Sequence, residues 1–287
     1  MTENFGIDNT VAPLRRVLVR PPDEAFAVSD PAEWNYSSRP NLEAARREHR
    51  ALVTTLEESG ARVELHTGTQ PGRADAIFVF DPVLMTAAGA VVLWMGKKRR
   101  VGEESVLAGR LEELGVPILG QLSGDARAEG GDLLRIDSRT LAVGVGFRTN
   151  RAAVEQLRVL LEPQGIRVEA FDLPYFEGPR ACLHLLSMVS LLADDLALVY
   201  PRLMPVDFWR VLAERFDLVE VAEEEFMTLG TNVLALGPRK CLALAGNTLT
   251  RRRLEAAGCE VLTYVGNELS LKAEGGPTCL TLPLHRA

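Results

Sequence analysis

A chain of 287 residues, 47% hydrophobic and 25% charged, can bury one large core or two ordinary ones. Its formal charge of −7 argues against a nucleic-acid partner, because phosphate binding needs a basic face. No apolar run follows a charged head at the N-terminus. The longest apolar run, 181–200, is broken by His184, Asp194 and Asp195, so neither a secretory signal nor a membrane span is expected. Four cysteines (Cys182, Cys241, Cys259 and Cys279) show no C-x-x-C spacing, which points to free thiols in a reducing cytoplasm and not to zinc or a redox pair.

In chain order, Leu14 to Val19 alternates into a strand that ends at Pro21-Pro22. A loop carrying Trp34, Asn35 and Tyr36 follows, then a helix over 41–59 and a strand over 61–65. The helix closes on Leu56-Glu57-Glu58-Ser59-Gly60, with glycine as its C-cap. The same closing signal returns at Leu111 to Gly115, Leu161 to Gly165 and Leu254 to Gly258, with a degenerate copy at Leu212 to Phe216. A short β-rich run follows each copy, at 116–119, 166–171, 218–221 and 259–264. One helix back, a pair of apolar strands precedes each: 77–85 with 91–95, 132–136 with 141–145, 185–191 with 196–200, and 233–236 with 240–245. A fifth pair joins Thr278 to Leu284 with the N-terminal strand. Units 42–55 residues apart that each hold a hairpin, a helix and a strand cannot bury their faces alone, and stack around a common centre. Because the first strand completes the unit begun at the C-terminus, the ring closes, and residues 1–287 are expected to form a single domain of five αβ units.

In a closed ring, loops from different units meet at the centre. Candidates at matching places are Asp75 and Asp81, flanking Ile77-Phe78-Val79-Phe80; Glu129, ahead of Gly130-Gly131-Asp132; His184, heading the third pair; and Cys279, opening the fifth after Gly275-Gly276-Pro277. Taken singly, each has a plainer reading: a turn-forming Asp before proline, a loop carboxylate, a core histidine, a core thiol. Together they make a thiol, an imidazole and carboxylates around one pocket. Carboxylates beside a thiolate disfavour an anionic reaction centre; a planar cation with several N–H donors, a guanidinium, suits them. Its carbon is electrophilic, and its field favours the thiolate of Cys279, with His184 serving as acid and then base.

In this order, from Pro13 to Val19 through Asp75 to Asp81, Glu129 to Asp132, Gly146-Phe147-Arg148-Thr149-Asn150 and Leu183-His184-Leu185 to Thr278-Cys279-Leu280, the sequence resembles the guanidino-group-modifying enzymes, and among them the dimethylarginine dimethylaminohydrolases. The resemblance implies the α/β pentein fold, a closed five-bladed α/β propeller of pseudo-fivefold ββαβ units. It implies Cys279 as nucleophile through a thiouronium intermediate, with His184 and Glu129 as catalytic partners. Asp81 and Asp75 are implied on the guanidinium side, and Arg148 at the substrate carboxylate. A second such arginine is expected within 97–100, and Arg100 is assigned to it. The implied partner is a small guanidino compound, with no metal or cofactor, no nucleic acid, no membrane and a homodimer by family analogy. The implied reaction yields citrulline and an amine, with an amidinotransferase or arginine deiminase-like enzyme as runner-up. Two departures stand out: Phe80 replaces the family's usual Glu, and Leu186 stands where the relatives carry Lys or Asp. The loop at Trp34-Asn35-Tyr36 is placed to act as a lid.

Overall fold

In the computed structural model, which describes residues 5–28, 30–181 and 183–287, the first strand, β1 (Leu14–Val19), matches its expected span. Cys182 lies outside the described residues. Where a loop is expected there are two short helices, α1 (Glu24–Val28) and α2 (Pro31–Trp34). Asp30 caps α2 by accepting from the Ala32 N–H, and Asn35 ends it in the left-handed region at φ 62°. Helix α3 (Leu42–Glu58) begins on the Asn41 cap and buries Ala45, His49, Leu52 and Leu56, three or four residues apart. Strand β2 (Arg62–Leu65) follows and pairs parallel to β1.

The same plan then repeats. The second unit is β3 (Val83–Met85), β4 (Ala90–Val92), α4 (Glu103–Glu113) and β5 (Ile118–Gln121). The third is β6 (Leu133–Asp137), β7 (Thr140–Val145), α5 (Arg151–Leu161) and β8 (Arg167–Asp172). The fourth is β9 (Val189–Ala193), β10 (Leu196–Val199), α6 (Val206–Ala213) and β11 (Asp217–Glu220). The fifth is β12 (Leu234–Gly237), β13 (Lys240–Leu244), α7 (Thr248–Ala256) and β14 (Glu260–Tyr264). The last strand, β15 (Thr281–Arg286), pairs antiparallel with β1, so the first sheet is ordered β15-β1-β2. Among the described residues there are five three-stranded sheets, each an antiparallel pair extended by a parallel strand after a helical crossover. Among the described residues no helix is long and apolar enough to cross a membrane.

The burial pattern explains the sequence pattern. The central strands read as unbroken apolar runs because both faces are covered, as in Leu196–Val199, whose four residues are all buried. The outer parallel strands β2 and β11 alternate partly with solvent. Each long helix seals its own apolar cluster: Leu52 and Leu56 of α3, Leu107 and Leu111 of α4, Leu157 and Leu161 of α5, Phe208 and Leu212 of α6, and Leu254 of α7. The glycine stops are left-handed at Gly60 (φ 99°), Gly115 (80°), Gly165 (67°) and Gly258 (84°). At each, the next N–H returns to the carbonyl five residues back, as from Ala61 to Leu56 at 3.1 Å and from Cys259 to Leu254 at 3.0 Å. The copy without glycine closes more tightly, Phe216 N–H to the Leu212 carbonyl at 2.9 Å.

Three strand expectations are corrected. Residues 77–82 are not strand: a 3₁₀ turn covers Ala74–Ile77, a further turn leads through Asp81-Pro82, and β3 starts at Val83. Leu185–Ser187 is likewise a 3₁₀ turn before β9, and Cys279 sits in a turn two residues ahead of β15. Ile77, Phe78, Val79 and Leu185 are buried without pairing, so their pattern imitates a strand.

His49 gives a pH test of this packing. Burial, reinforced by the Arg50 charge, pushes its pKa from 6.5 down to about 4, and its Nε2 has no hydrogen-bond partner. A depressed folded-state value contributes stability that is present above 6.5 and is lost as pH falls through about 4. His49→Leu is expected to remove up to about 3 kcal/mol of that acid-induced loss, read as a smaller change in denaturation midpoint between neutral and acid pH.

Candidate active site

The corrected strand starts share a purpose. Turns before β3, β6, β9, β12 and β15 carry, in order, Asp75 with Asp81, Glu129, His184, Asn232 and Cys279, and all six side chains line one pocket of about 310 Å³. Arg100 and Arg148 line it as well. A turn frees backbone that a strand would commit to its neighbours, which lets these side chains converge.

Two glycine pairs make the convergence possible. A Cβ on Gly130 would overlap the Phe80 carbonyl, and one on Gly131 would overlap the His184 ring. A Cβ on Gly275 would overlap the Phe78 ring, and one on Gly276 the Asn232 side chain. None of the four needs a left-handed backbone; close approach is the reason for glycine.

Glu129 is wholly buried. It accepts from the Lys97 N–H (2.8 Å) and from Arg148 Nη1 (3.2 Å), and its Oε2 lies 2.8 Å from His184 Nε2. Burial pushes its pKa up, but the His184 hydrogen bond and the charges of Arg148, His184 and Arg100 outweigh it and hold the carboxyl far below the usual range. An ionised carboxylate only accepts, so Nε2 of His184 carries the proton on that side. The backbone of His184 is fixed by its N–H to Ser187 Oγ at 3.0 Å. Asp132, wholly buried below, accepts from the Leu185 N–H at 3.0 Å; burial raises it to about 6, opposed by the His184 charge.

Asp81 accepts from the Gly131 N–H (2.9 Å) and from Arg100 Nη1 (2.6 Å). Here the expectation for Arg100 meets a correction. Its guanidinium is 3% exposed and is spent on Asp81, on Glu103 through Nε and Nη2, and on the Phe78 carbonyl. Burial works against its charge, but Glu103, Asp81 and Asp75 more than restore it. Arg100 therefore braces Asp81 from behind and is not held out for a substrate carboxylate. The basic tip of that cluster is Lys97, whose Nζ bonds Asp75 Oδ2 (2.6 Å) and the Trp34 carbonyl (2.8 Å) and lies 5.1 Å from the Trp34 ring centre. Tyr36 donates to Asp75 Oδ1 at 2.8 Å and shares a core cluster with Trp34, so two of the three expected lid residues are anchored in the core, while Trp34 and Asn35 border the pocket.

Cys279 is half-buried, with Asn232 Nδ2 donating to its Sγ at 3.2 Å. Asn232 Oδ1 in turn accepts from the Thr278 N–H at 3.0 Å, tying the amide to the cysteine turn. Sequence reasoning missed Asn232, although the repeat pointed to it: Thr231-Asn232 is the polar pair before the first strand of the one unit left without a candidate. It also missed Lys97, and Glu274, a pocket residue at φ 60° whose carboxyl burial pushes up.

A sequence model of the family described as N,N dimethylarginine dimethylhydrolase, eukaryotic, matches residues 23–286. The chain belongs to that family. With it comes membership of the guanidino-group-modifying pentein superfamily. An uncharacterized relative of the family member, YkgA of Bacillus subtilis, is 29% identical over 86% of this chain and 82% of its own. The arginine deiminase of Rhodococcus erythropolis is 30% identical over 192 residues, 56% of this chain, and the chain spans about half the length of that relative (47%). Among solved structures, the substrate-bound N-terminal domain of ArgZ, a cyanobacterial arginine dihydrolase, superposes with a TM-score of 0.81 at 23% identity, covering 94% of this chain and 98% of that one. The citrulline complex of the Pseudomonas aeruginosa dimethylarginine dimethylaminohydrolase superposes with a TM-score of 0.77 at 21% identity, covering 94% and 99%. These likenesses establish the α/β fold of the family.

Proposed function

We propose that this family member is a cysteine-dependent hydrolase acting at the guanidinium carbon of a free arginine derivative, giving citrulline and an amine. The observation that carries the reading is the buried Glu129–His184 pair at 2.8 Å on the wall of the pocket that holds Cys279. A carboxylate-held imidazole beside a thiol is the arrangement that activates a sulfur nucleophile. We read the five sheets as a closed propeller and residues 1–287 as one domain, supported by the β1–β15 pairing.

In this mechanism the Cys279 thiolate adds to the guanidinium carbon, forming the S–C bond. The C–N bond to the departing amine then breaks as His184 gives that nitrogen a proton, leaving a thiouronium on Cys279. Neutral His184 next takes a proton from water as its oxygen adds to the same carbon. The C–S bond breaks, restoring the thiolate, and the added oxygen gives up its remaining proton to the released amine as the ureido product leaves. Asp81, braced by Arg100, faces the guanidinium, and Asp75 supports that side. Arg148, with Lys97 near it, is the cation for the substrate's carboxylate. Asn232 steadies the thiolate by its N–H donor. Asn232→Ala is expected to slow turnover by roughly 10–100-fold, the worth of one hydrogen bond to a charged group, and to move the alkylation profile of Cys279 to higher pH. Steady-state turnover measures the first, and the rate of alkylation by iodoacetamide across a pH series the second.

Phe80 and Phe78 give the pocket aromatic walls where the family's usual carboxylate would bind a bare N–H. A second reading, release of ammonia from arginine itself, is supported by the arginine deiminase relatives at 30–32% identity. Ureido product and released amine, assayed with arginine, monomethylarginine and asymmetric dimethylarginine, separate the two. Dimethylamine from the dimethylated substrate supports the first reading, ammonia from arginine alone the second, and no product from any of them contradicts both.

A further inference from the structure

Behind the Cys279 pocket lies a second cavity of about 100 Å³. Phe80, Leu186 and Thr278 border both and form the partition. Its walls are largely apolar, from Ile7, Val83 and Met85 to Leu191 and Val233, yet two arginines line it, Arg135 of β6 and Arg286 at the end of β15. They are only 4% and 7% exposed, and the described lining contains no carboxylate.

The two cations lack a counter-charge there. Arg286 donates to the carbonyls of Ala12 (2.7 Å) and Ala235 (2.8 Å), and burial pushes its pKa down to about 9. Arg135 donates once, to the Ser138 carbonyl at 3.3 Å, while its Nε and Nη2 are buried with no hydrogen-bond partner. Its nearest charged neighbours are Asp8, which is exposed, and Asp137, whose Oδ2 is already held by Arg215 at 2.6 Å. Buried guanidinium groups beside an apolar void, one only partly compensated by Asp8 and Asp137, are costly to the fold, and an anion entering the void relieves that cost.

We propose that this cavity binds a short-chain monocarboxylate, its carboxylate toward Arg135 and Arg286 and its hydrocarbon tail along the apolar wall. The planar, forked donors of arginine match a carboxylate better than a spherical ion, and the wall has nothing to offer a polar tail. The volume is several times the ~10–15 Å³ that one water needs by this measure, enough for a few heavy atoms.

Calorimetric titration of the full chain with butyrate tests this. The expected result is one saturable site per chain, unchanged when Cys279 is carboxamidomethylated, and weakened at least about tenfold by Arg135→Gln. Arg135 is the residue to change because its single long hydrogen bond makes little demand on the fold, and a melting temperature no lower than that of the unaltered protein confirms that the variant is intact. No saturation below ~50 mM, or equal binding of butan-1-ol, would overturn the proposal. So would loss of binding on Cys279 modification, which would return the ligand to the first pocket. Chloride binding as tightly as butyrate would overturn the assignment to a carboxylate.

Discussion

Cys279→Ala is expected to lower hydrolysis of the preferred guanidine by roughly 10⁴–10⁶-fold, the scale seen when a covalent nucleophile is removed. Stability should change by less than about 1 kcal/mol, because the side chain is half-buried at a pocket wall and the turn is held by other groups. Those groups are the Thr278 N–H to Asn232 Oδ1 bond and the Phe80 N–H to Cys279 carbonyl contact at 3.3 Å, neither of which uses the thiol. Steady-state rates beside melting temperatures check the two halves together. A variant that folds and keeps its rate contradicts the nucleophile assignment.

Glu129→Gln is expected to damage both chemistry and fold. The carboxylate is wholly buried and answers His184, Arg148 and the Lys97 N–H at once. An amide of the same shape takes away the negative charge that Arg148 pairs with and no longer holds the imidazolium. The cost to stability should be about 3–5 kcal/mol, as for breaking a buried ion pair from one side. The loss in kcat/KM should be roughly 10²–10⁴-fold, the share of general acid–base catalysis. The pH dependence distinguishes this from generic damage. A folded-state pKa below the unfolded 4.5 contributes stability that is complete above 4.5 and is lost as pH falls. The wild type should therefore weaken in acid by an amount the variant does not show, read from urea midpoints at neutral pH and below 4.5.

The ends of the long helices were plain in the sequence because their signals are local, whereas α1 and α2 were not. A glycine stop after Leu-Glu-Glu fixes where α3 and α4 end, whatever packs on them. The turns that carry the site were less plain. Ile77, Phe78 and Val79 are buried, with Phe80 at the pocket wall, and this apolar run is the same whether it pairs or turns. Glu129, His184 and Cys279 could be found because their positions repeat from unit to unit. Arg100 could not be told from Arg99 by spacing, since only the fold shows Glu103 and Asp81 closing around Arg100. Asn232 was within reach of the repeat but carries no charge to draw notice. The second cavity left no mark in sequence at all, because Arg135 and Arg286 stand in strands where an arginine usually reaches solvent.

The central claim, covalent catalysis at Cys279, is tested most directly by acid-quenching the enzyme during turnover of its best substrate and weighing the intact chain, then the Cys279 peptide. The account predicts a mass increase equal to the substrate less its departing amine, confined to that peptide and absent in Cys279→Ala. Sustained turnover with no adduct on Cys279, or an adduct on Cys241 or Cys259 in its place, would contradict it.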